Sequence, residues 1–279
     1  MNAQSTETLL RTLGQGDAPN PACNLHIHSD ASDGSDSFKS IISQAVTLGF
    51  EHIAFTNHDT TVGLDYVIDL GKSFGVEVIG GVEISAWDFV GKRKVHILGY
   101  GLQSDSPEVS RLCKPLLDSR RENTLWQMEQ LLVAGYTVDV DYAAHVSRSS
   151  TSFYKQHLLA ALTDEPFGSE AYVQLSRSLF KGNGICARDI TYVDAFDAVR
   201  AIVADGGVAV LAHPGQQDNY DLVPELVACG LRGIERFHPD HGKADWQRCA
   251  EWEERFGLFH TGGSDYHGSF GTSTLPMTF

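Results

Sequence analysis

Six times along this chain an apolar run of strand length breaks off at a residue able to bind a metal, and a helical pattern follows most of them. The runs cover residues 23–28, 52–56, 76–79, 94–100, 207–211 and 258–261, with one more at 231–235. Amphipathic stretches fall at 38–48, 62–74, 195–204, 222–228 and 244–256, the first two stopped by Gly49 and Gly75. About seven strands, mostly followed by helices, predict an α/β fold, either a parallel (βα) barrel or an open sheet. In a barrel every parallel strand ends on one face, so residues far apart in sequence meet there.

One long interval breaks this order. Between 104 and 189 helical periodicity dominates, in RRENTLWQMEQLLVAG and YKQHLLAAL, and the segment closes on Gly182-Asn183-Gly184. It is expected to be an all-helical insertion seated over the domain rather than an independent one, of a length suited to lid or substrate-selection work. The predicted organisation is an N-terminal arm at 1–22, a barrel domain at 23–103 and 190–279, and an insertion subdomain at 104–189. The arm is polar and reads as a short helix or loose segment.

Composition narrows the partners. With 21 basic and 36 acidic residues the formal charge is −15, which disfavours non-specific attraction to a long nucleic acid. No apolar run approaches the ~18–20 residues that span a bilayer, so no membrane partner is expected. The five cysteines, Cys23, Cys113, Cys186, Cys229 and Cys249, are scattered and form no CxxC pair. Free thiols in a reducing compartment, the cytoplasm, are the expectation. Nothing in the sequence sets the oligomeric state.

The residues at the strand ends are His26, His28, Asp33, His58, Glu83, His96, His213, Asp265 and His267. His26 and His28 are spaced i, i+2, so both imidazoles leave the same side of a strand and can reach one ion. Neutral imidazole and carboxylate are ligands for zinc and its neighbours. A lone histidine is more often a packing or surface residue, but nine such groups converging from six strand ends point to a metal centre. His52 and His260 precede or sit within their strands and are expected to pack, and His145 lies in a polar loop and should be solvated. Glu77, inside a strand, is given no role.

These residues fall into H-x-H-x-x-x-S-D-G at 26–34, N-H-D at 57–59, G-V-E-I-S at 81–85, A-H-P at 212–214 and G-S-D-Y-H at 263–267. Together they resemble the PHP (polymerase and histidinol phosphatase) superfamily of metal-dependent phosphoesterases, over residues 23–103 and 190–268. The resemblance implies a distorted seven-stranded (βα) barrel holding two or three divalent ions, manganese, iron or zinc. It places His26, His28, Glu83 and Asp265 on a first ion, with Glu83 bridging to a second held by His96 and His213. Asp33, His58 and His267 would hold a third. A helical insertion of this kind resembles the nucleotide-phosphatase branch, whose members act on nucleoside monophosphates, 3′,5′-bisphosphates or RNA 5′ ends.

Two departures stand out. Asn57 occupies a position where many relatives carry aspartate. The Arg-Pro-His phosphate-contact motif of that branch is absent, the nearest text being Arg148-Ser149-Ser150 or Lys155-Gln156-His157.

The expected activity is hydrolysis of a phosphate monoester on a small, nucleotide-like substrate, driven by a metal-bound hydroxide. Asp59 is expected to orient a ligand or relay a proton, and His238, in the loop after 231–235, to approach the phosphate. Arg148, Lys155, His157 and Arg177 are candidate substrate contacts. The alternatives are a histidinol-phosphate-type phosphatase, a 5′-3′ exonuclease on short oligonucleotides, and a non-catalytic accessory module.

Overall fold

The computed structural model describes residues 2–277; Met1, Thr278 and Phe279, the outermost residues of the expected arm and barrel segments, lie outside them. Its strands are β1 (Cys23–Ile27), β2 (His52–Phe55), β3 (Glu77–Asp88), β4 (Arg93–Tyr100), β5 (Val193–Asp194), β6 (Val208–Leu211), β7 (Gly233–Phe237) and β8 (Phe259–Gly262). Its helices are α1 (Ala3–Leu13), α2 (Phe38–Leu48), α3 (Leu64–Phe74), α4 (Pro107–Val133), α5 (Val140–Val146), α6 (Lys155–Leu162), α7 (Glu170–Phe180), α8 (Ala195–Ala204), α9 (Pro214–Gln217), α10 (Val223–Cys229) and α11 (Lys243–Phe256).

The strands follow the order β1-β2-β3-β4-β6-β7-β8, with the two-residue β5 added beside β3. All neighbours are parallel except β4, which runs antiparallel to both β3 and β6. Just past β8, the His28 N–H donates to the Tyr266 carbonyl at 2.8 Å, and Ile27 bridges Tyr266. The sheet is thereby almost closed into a distorted seven-stranded α/β barrel.

Two apolar layers hold it. Ile41, Ile42 and Ala45 of α2, Val67 of α3 and Val199 and Ile202 of α8 pack with Ile53, Phe55, Ile84, Ile97 and Leu211 of the sheet. Leu25, Ile79, Leu98, Tyr100, Val210 and Phe259 form a second cluster, closed by Leu10 and Leu13 of α1. Ile79 and Glu83 lie on one face of β3, and Leu98, Tyr100 and His96 on one face of β4, by the two-residue strand period. The interior is therefore apolar at the α1 end and lined with imidazole and carboxylate side chains at the other. The N-terminal segment is thus largely a docked helix.

Sequence periodicity places a strand end at 79, but β3 continues for 12 residues. Gly80 and Gly81 carry it from its parallel partner β2 onto the antiparallel hairpin with β4. Glu83 accordingly sits inside a strand, at the switch between the two partners.

Helices α4 to α7 carry their own apolar cluster, including Leu131, Phe153, Leu158, Tyr172 and Leu179. Polar bonds tie this layer to the barrel mouth. The Thr151 N–H donates to the Ala31 carbonyl (3.0 Å), the Gln156 amide to Asp33 Oδ2 (2.9 Å) and the Tyr154 hydroxyl to the His58 carbonyl (2.9 Å). The first N–H groups of α4, on Glu108 and Val109, donate to the Asp205 carboxylate just past α8.

Closure leaves no room at Gly263, where a Cβ would come within 2.2 Å of His26 Cβ and 2.4 Å of His26 N. Gly263→Ala must push β1 and the β8 exit apart, and a loss of about 2 kcal/mol or more is expected. Urea unfolding should show a lower midpoint with an unchanged slope; an unshifted midpoint would refute the close approach.

Candidate metal centre

The nine strand-end residues meet at one mouth of the barrel. Ligand atoms of His26, His28, Glu83 and Asp265 lie within 4.8 Å of one another, as do those of Glu83, His96 and His213 and those of His28, Asp33, His58 and His267. In the first group, His26 Nε2 and His28 Nε2 are each 3.1 Å from Glu83 Oε2, and 3.5 and 3.2 Å from Asp265 Oδ1. Two donors about 2.1 Å from one ion at the tetrahedral angle stand roughly 3.4 Å apart, so the spacing fits a shared cation. His26 Nε2, His28 Nε2 and Asp265 Oδ1 are buried and lack a hydrogen-bond partner, an arrangement that a cation explains and a packed core does not. In the second group, Glu83 Oε1 is 2.7 Å from His96 Nδ1 and 2.9 Å from His213 Nε2. In the third, Asp33 faces His267 at 3.4 Å and His58 at 3.9 Å.

The charges are set against one another. Burial alone would raise the Glu83 carboxyl, but His58, His96 and His26 hold it well below the usual carboxylate range. Burial opposes a proton on His267, yet Asp33 and Asp265 outweigh it and raise the group to about 10. His26 rises as well, Glu235, Glu83 and Asp265 overcoming its burial. His58 goes the other way, down to about 3, because burial dominates there.

Glu235 is the group that sequence reasoning missed. It is fully buried on β7, 3.0 and 3.2 Å from His26 Nδ1, and it also accepts the His213 N–H at 2.9 Å. It orients a residue of the first group and one of the second. The signal was available: an acid inside the apolar run GIERF, three residues before His238.

Of the other candidate residues only His238 joins these groups, with a ring nitrogen within 4.8 Å of ligand atoms of His26, His213 and Glu235. Asp59 faces away from the ligand atoms, accepting from the Ser85 N–H (2.7 Å), the Ser85 hydroxyl (3.1 Å) and the Arg120 guanidinium (2.7 Å). His238 is buried beside the first group, with Nε2 3.7 Å from Asp265 Oδ2. Lys155 lines a cavity of about 390 Å³ that Asp33, His58 and His96 also line. His157 is buried among Phe153, Tyr154 and Phe270, where its Nδ1 accepts the Tyr154 N–H; burial lowers it to about 4. Arg148 borders a separate hollow beside Asp30, and Arg177 is exposed on α7. His145 is exposed, His52 forms a half-buried pair with Glu77 (3.3 Å), and His260 packs on Phe237 and bonds Glu253 (2.8 Å). Asn57 anchors the turn after β1, its Oδ1 accepting from the Ser29 N–H (2.7 Å) and the Ser32 hydroxyl (2.9 Å).

A barrel mouth with several His/Asp/Glu clusters suited to metal, in a chain whose relatives are a phosphodiesterase and a phosphatase, is that of a metal-dependent phosphoesterase, an enzyme that hydrolyses phosphoric ester bonds. The chain belongs to the PHP domain family, whose model matches residues 24–210. It is 59% identical over 248 residues to a phosphoribosyl 1,2-cyclic phosphate 1,2-diphosphodiesterase of Eggerthella lenta, covering 89% of this chain and 95% of that one. It is 30% identical over 251 residues to a 3′,5′-nucleoside bisphosphate phosphatase of Chromobacterium violaceum, covering 88% and 86%. A solved structure from Bifidobacterium adolescentis superposes with a TM-score of 0.82 at 23% identity, over 92% of this chain and 91% of that one. At that identity it speaks for the fold.

Two outcomes follow from the geometry. Glu235→Gln keeps shape but removes the charge behind His26, so affinity for a divalent ion should fall about 10–100-fold, measured by calorimetry with Mn²⁺; an unaltered affinity would remove Glu235 from this role. The raised groups, His26 and His267, hold protons at neutral pH, and an imidazole must lose its proton to bind a metal. Adding Mn²⁺ to the metal-free protein in weak buffer near pH 7 should therefore release protons, with affinity rising as the pH is raised from 7 towards about 10. Binding without proton release would contradict the charge pattern.

Proposed function

We propose that this enzyme opens a phosphoribosyl 1,2-cyclic phosphate. The observation that carries the reading is the 59% identity to the Eggerthella lenta diphosphodiesterase across 95% of that protein. Its reaction begins on a cyclic diester, where the sequence alone points to a monoester of a nucleotide. Two or three divalent ions, manganese, iron or zinc, would be held by His26, His28, Glu83 and Asp265, by Glu83, His96 and His213, and by Asp33, His58 and His267. When bound, they supply an ionised water at neutral pH and positive charge for the phosphoryl oxygens.

The chain's own residues prepare the rest. The His238 Nδ1 accepts the Asp240 N–H at 3.1 Å, so Nε2 carries the proton and faces the site beside Asp265. That N–H is placed to donate to a phosphoryl oxygen or to the departing sugar oxygen. Asp59 acts at one remove. Ser85 Oγ donates to Asp59 and accepts from Arg120 (3.0 Å), leaving a lone pair for His58 Nδ1–H at 3.4 Å. This fixes the His58 tautomer with Nε2 free to bind an ion. We also propose that residues 104–189 form a cover over the barrel segments 23–103 and 190–279 and choose the substrate. The free state of all five thiols supports a reducing compartment, the cytoplasm.

The test is a substrate panel on the Mn²⁺-loaded enzyme: phosphoribosyl 1,2-cyclic phosphate, a nucleoside monophosphate, a 3′,5′-bisphosphate, a short oligoribonucleotide and histidinol phosphate. The cyclic ester should have the highest kcat/KM, by about tenfold or more, with ring opening followed by ³¹P NMR. A higher value for the bisphosphate would replace this reading with the activity named for the Chromobacterium relative. Glu83→Gln should bring turnover to background and lower the metal content.

A further inference from the structure

We propose that Lys94, Lys155 and Lys181 form a second anion subsite, which holds a phosphate on the far end of a doubly phosphorylated pentose while its ester sits at the metal centre. The proposal rests on the substrate reading above and names the part of the chain that enforces it. The three lysines come from β4, from the first turn of α6 and from the residue after α7, and all line the cavity of about 390 Å³ that Asp33, His58 and His96 also line. That volume lies within the range of roughly 300–1,000 Å³ common for small-molecule sites.

Five cations line this cavity; two are committed to partners as follows, and a third, Lys94, lies over the Tyr192 ring (5.0 Å). Arg120 is bonded to Asp59 and Ser85 and lies over the Tyr154 ring (4.7 Å). Arg188 donates to Asn123 Oδ1 (2.6 Å) and lies over Trp126 (4.4 Å). The lysines share one acid, Asp189, whose carboxylate is 3.4 Å from the Lys94 ammonium. Among the described residues the Lys155 and Lys181 ammonium groups have no hydrogen-bond or ion-pair partner. Burial, with Lys181 and Lys94 nearby, pushes Lys155 down to about 8. In a chain of formal charge −15, three clustered lysines facing one carboxylate are a local excess of positive charge that a bound dianion would neutralise.

The spacing matches such a ligand. Lys94 and His96 stand two residues apart on β4, on the same face, about 7 Å along the strand. One pentose covers that span between its phosphates. Lys155 and Lys181 belong to the helical layer, so the subsite is complete only when that layer is docked. The Gln156 bond to Asp33 (2.9 Å) fixes the start of α6 against the barrel mouth.

The experiment compares phosphoribosyl 1,2-cyclic phosphate with ribosyl 1,2-cyclic phosphate, which lacks the second phosphate. It uses the Mn²⁺-loaded wild type, Lys181→Met, the double variant Lys155→Met/Lys181→Met, and Lys155→Arg. The ratio of the two kcat/KM values should fall about tenfold or more in the double variant, through KM, and partly recover with arginine. Lys181 is exposed, so its variant answers even if the double variant folds poorly. A second arm measures ribose 5-phosphate and ribose binding by calorimetry. The phosphorylated sugar should bind more tightly, and the double variant should erase the difference. An unchanged kinetic ratio, or lysine-independent binding, overturns the subsite. If the wild type opens neither ester while ribose 5-phosphate binding stays lysine-dependent, the cyclic substrate is wrong and the subsite stands.

Discussion

Glu83 is the group on which the rest of the barrel mouth depends. Its two oxygens lie 2.7 to 3.3 Å from nitrogens of five imidazoles, those of His96, His213, His26, His28 and His58. An ionised carboxylate at 1% exposure is tolerable only with opposite charge around it. That charge has to come from protons on the imidazoles or from ions that replace those protons, and both cannot be present fully. Folding, protonation and ion uptake are one linked equilibrium at this point of the chain. The backbone enforces the position, since the Glu83 N–H donates to the Asn57 carbonyl and the Glu83 carbonyl accepts the Asp59 N–H.

The topology follows from serving that carboxylate. β3 has to leave β2 and still keep a partner, and the reversal of β4 provides one, bringing His96 across the strand pair from Ser85. The same reversal lets Ser85 and Asp59 meet Arg120 of α4, so the insertion is held by a buried ion pair 2.7 Å long directly behind His58. Removing one partner of such a pair would leave an uncompensated charge. The helical layer and the His58 side of the centre are therefore coupled, and the layer is part of the site's frame.

The strand ends were legible because a parallel barrel turns a one-dimensional regularity into a shared face. His26, His28, His58, His213 and His267 each follow an apolar run, and that pattern survives without any knowledge of contacts. Glu83 was read as a strand-end residue although its strand runs on to Asp88, since the glycines that look like a strand end instead change its partner. Glu235 escaped because it lies within a run whose other members pack the core, and only the fold shows it facing His26, 209 positions away. Arg120 and Lys181 sit in helical text where charged residues are ordinary, and nothing local separates an exposed Arg177 from an Arg120 turned inward. His157 misled in the opposite direction: beside Lys155 it looks like a phosphate contact, but aromatic neighbours make it a cap for the start of α6.

The charge distribution explains why this centre suits small anions. A surface with a formal excess of 15 negative charges repels a long polyanion at distances beyond contact, although salt weakens that field over about 8 Å at physiological ionic strength. Inside the mouth the balance reverses, because imidazoles face the acids and the cavity wall carries lysines. A ligand with two phosphates close together enters the favourable region whole. A longer chain of phosphates would leave most of its charge in the unfavourable one. On the proposed substrate reading, selection by size needs no specific contact with a base: polar groups at the two ends of the cavity would answer the two phosphates and leave a bare sugar between them.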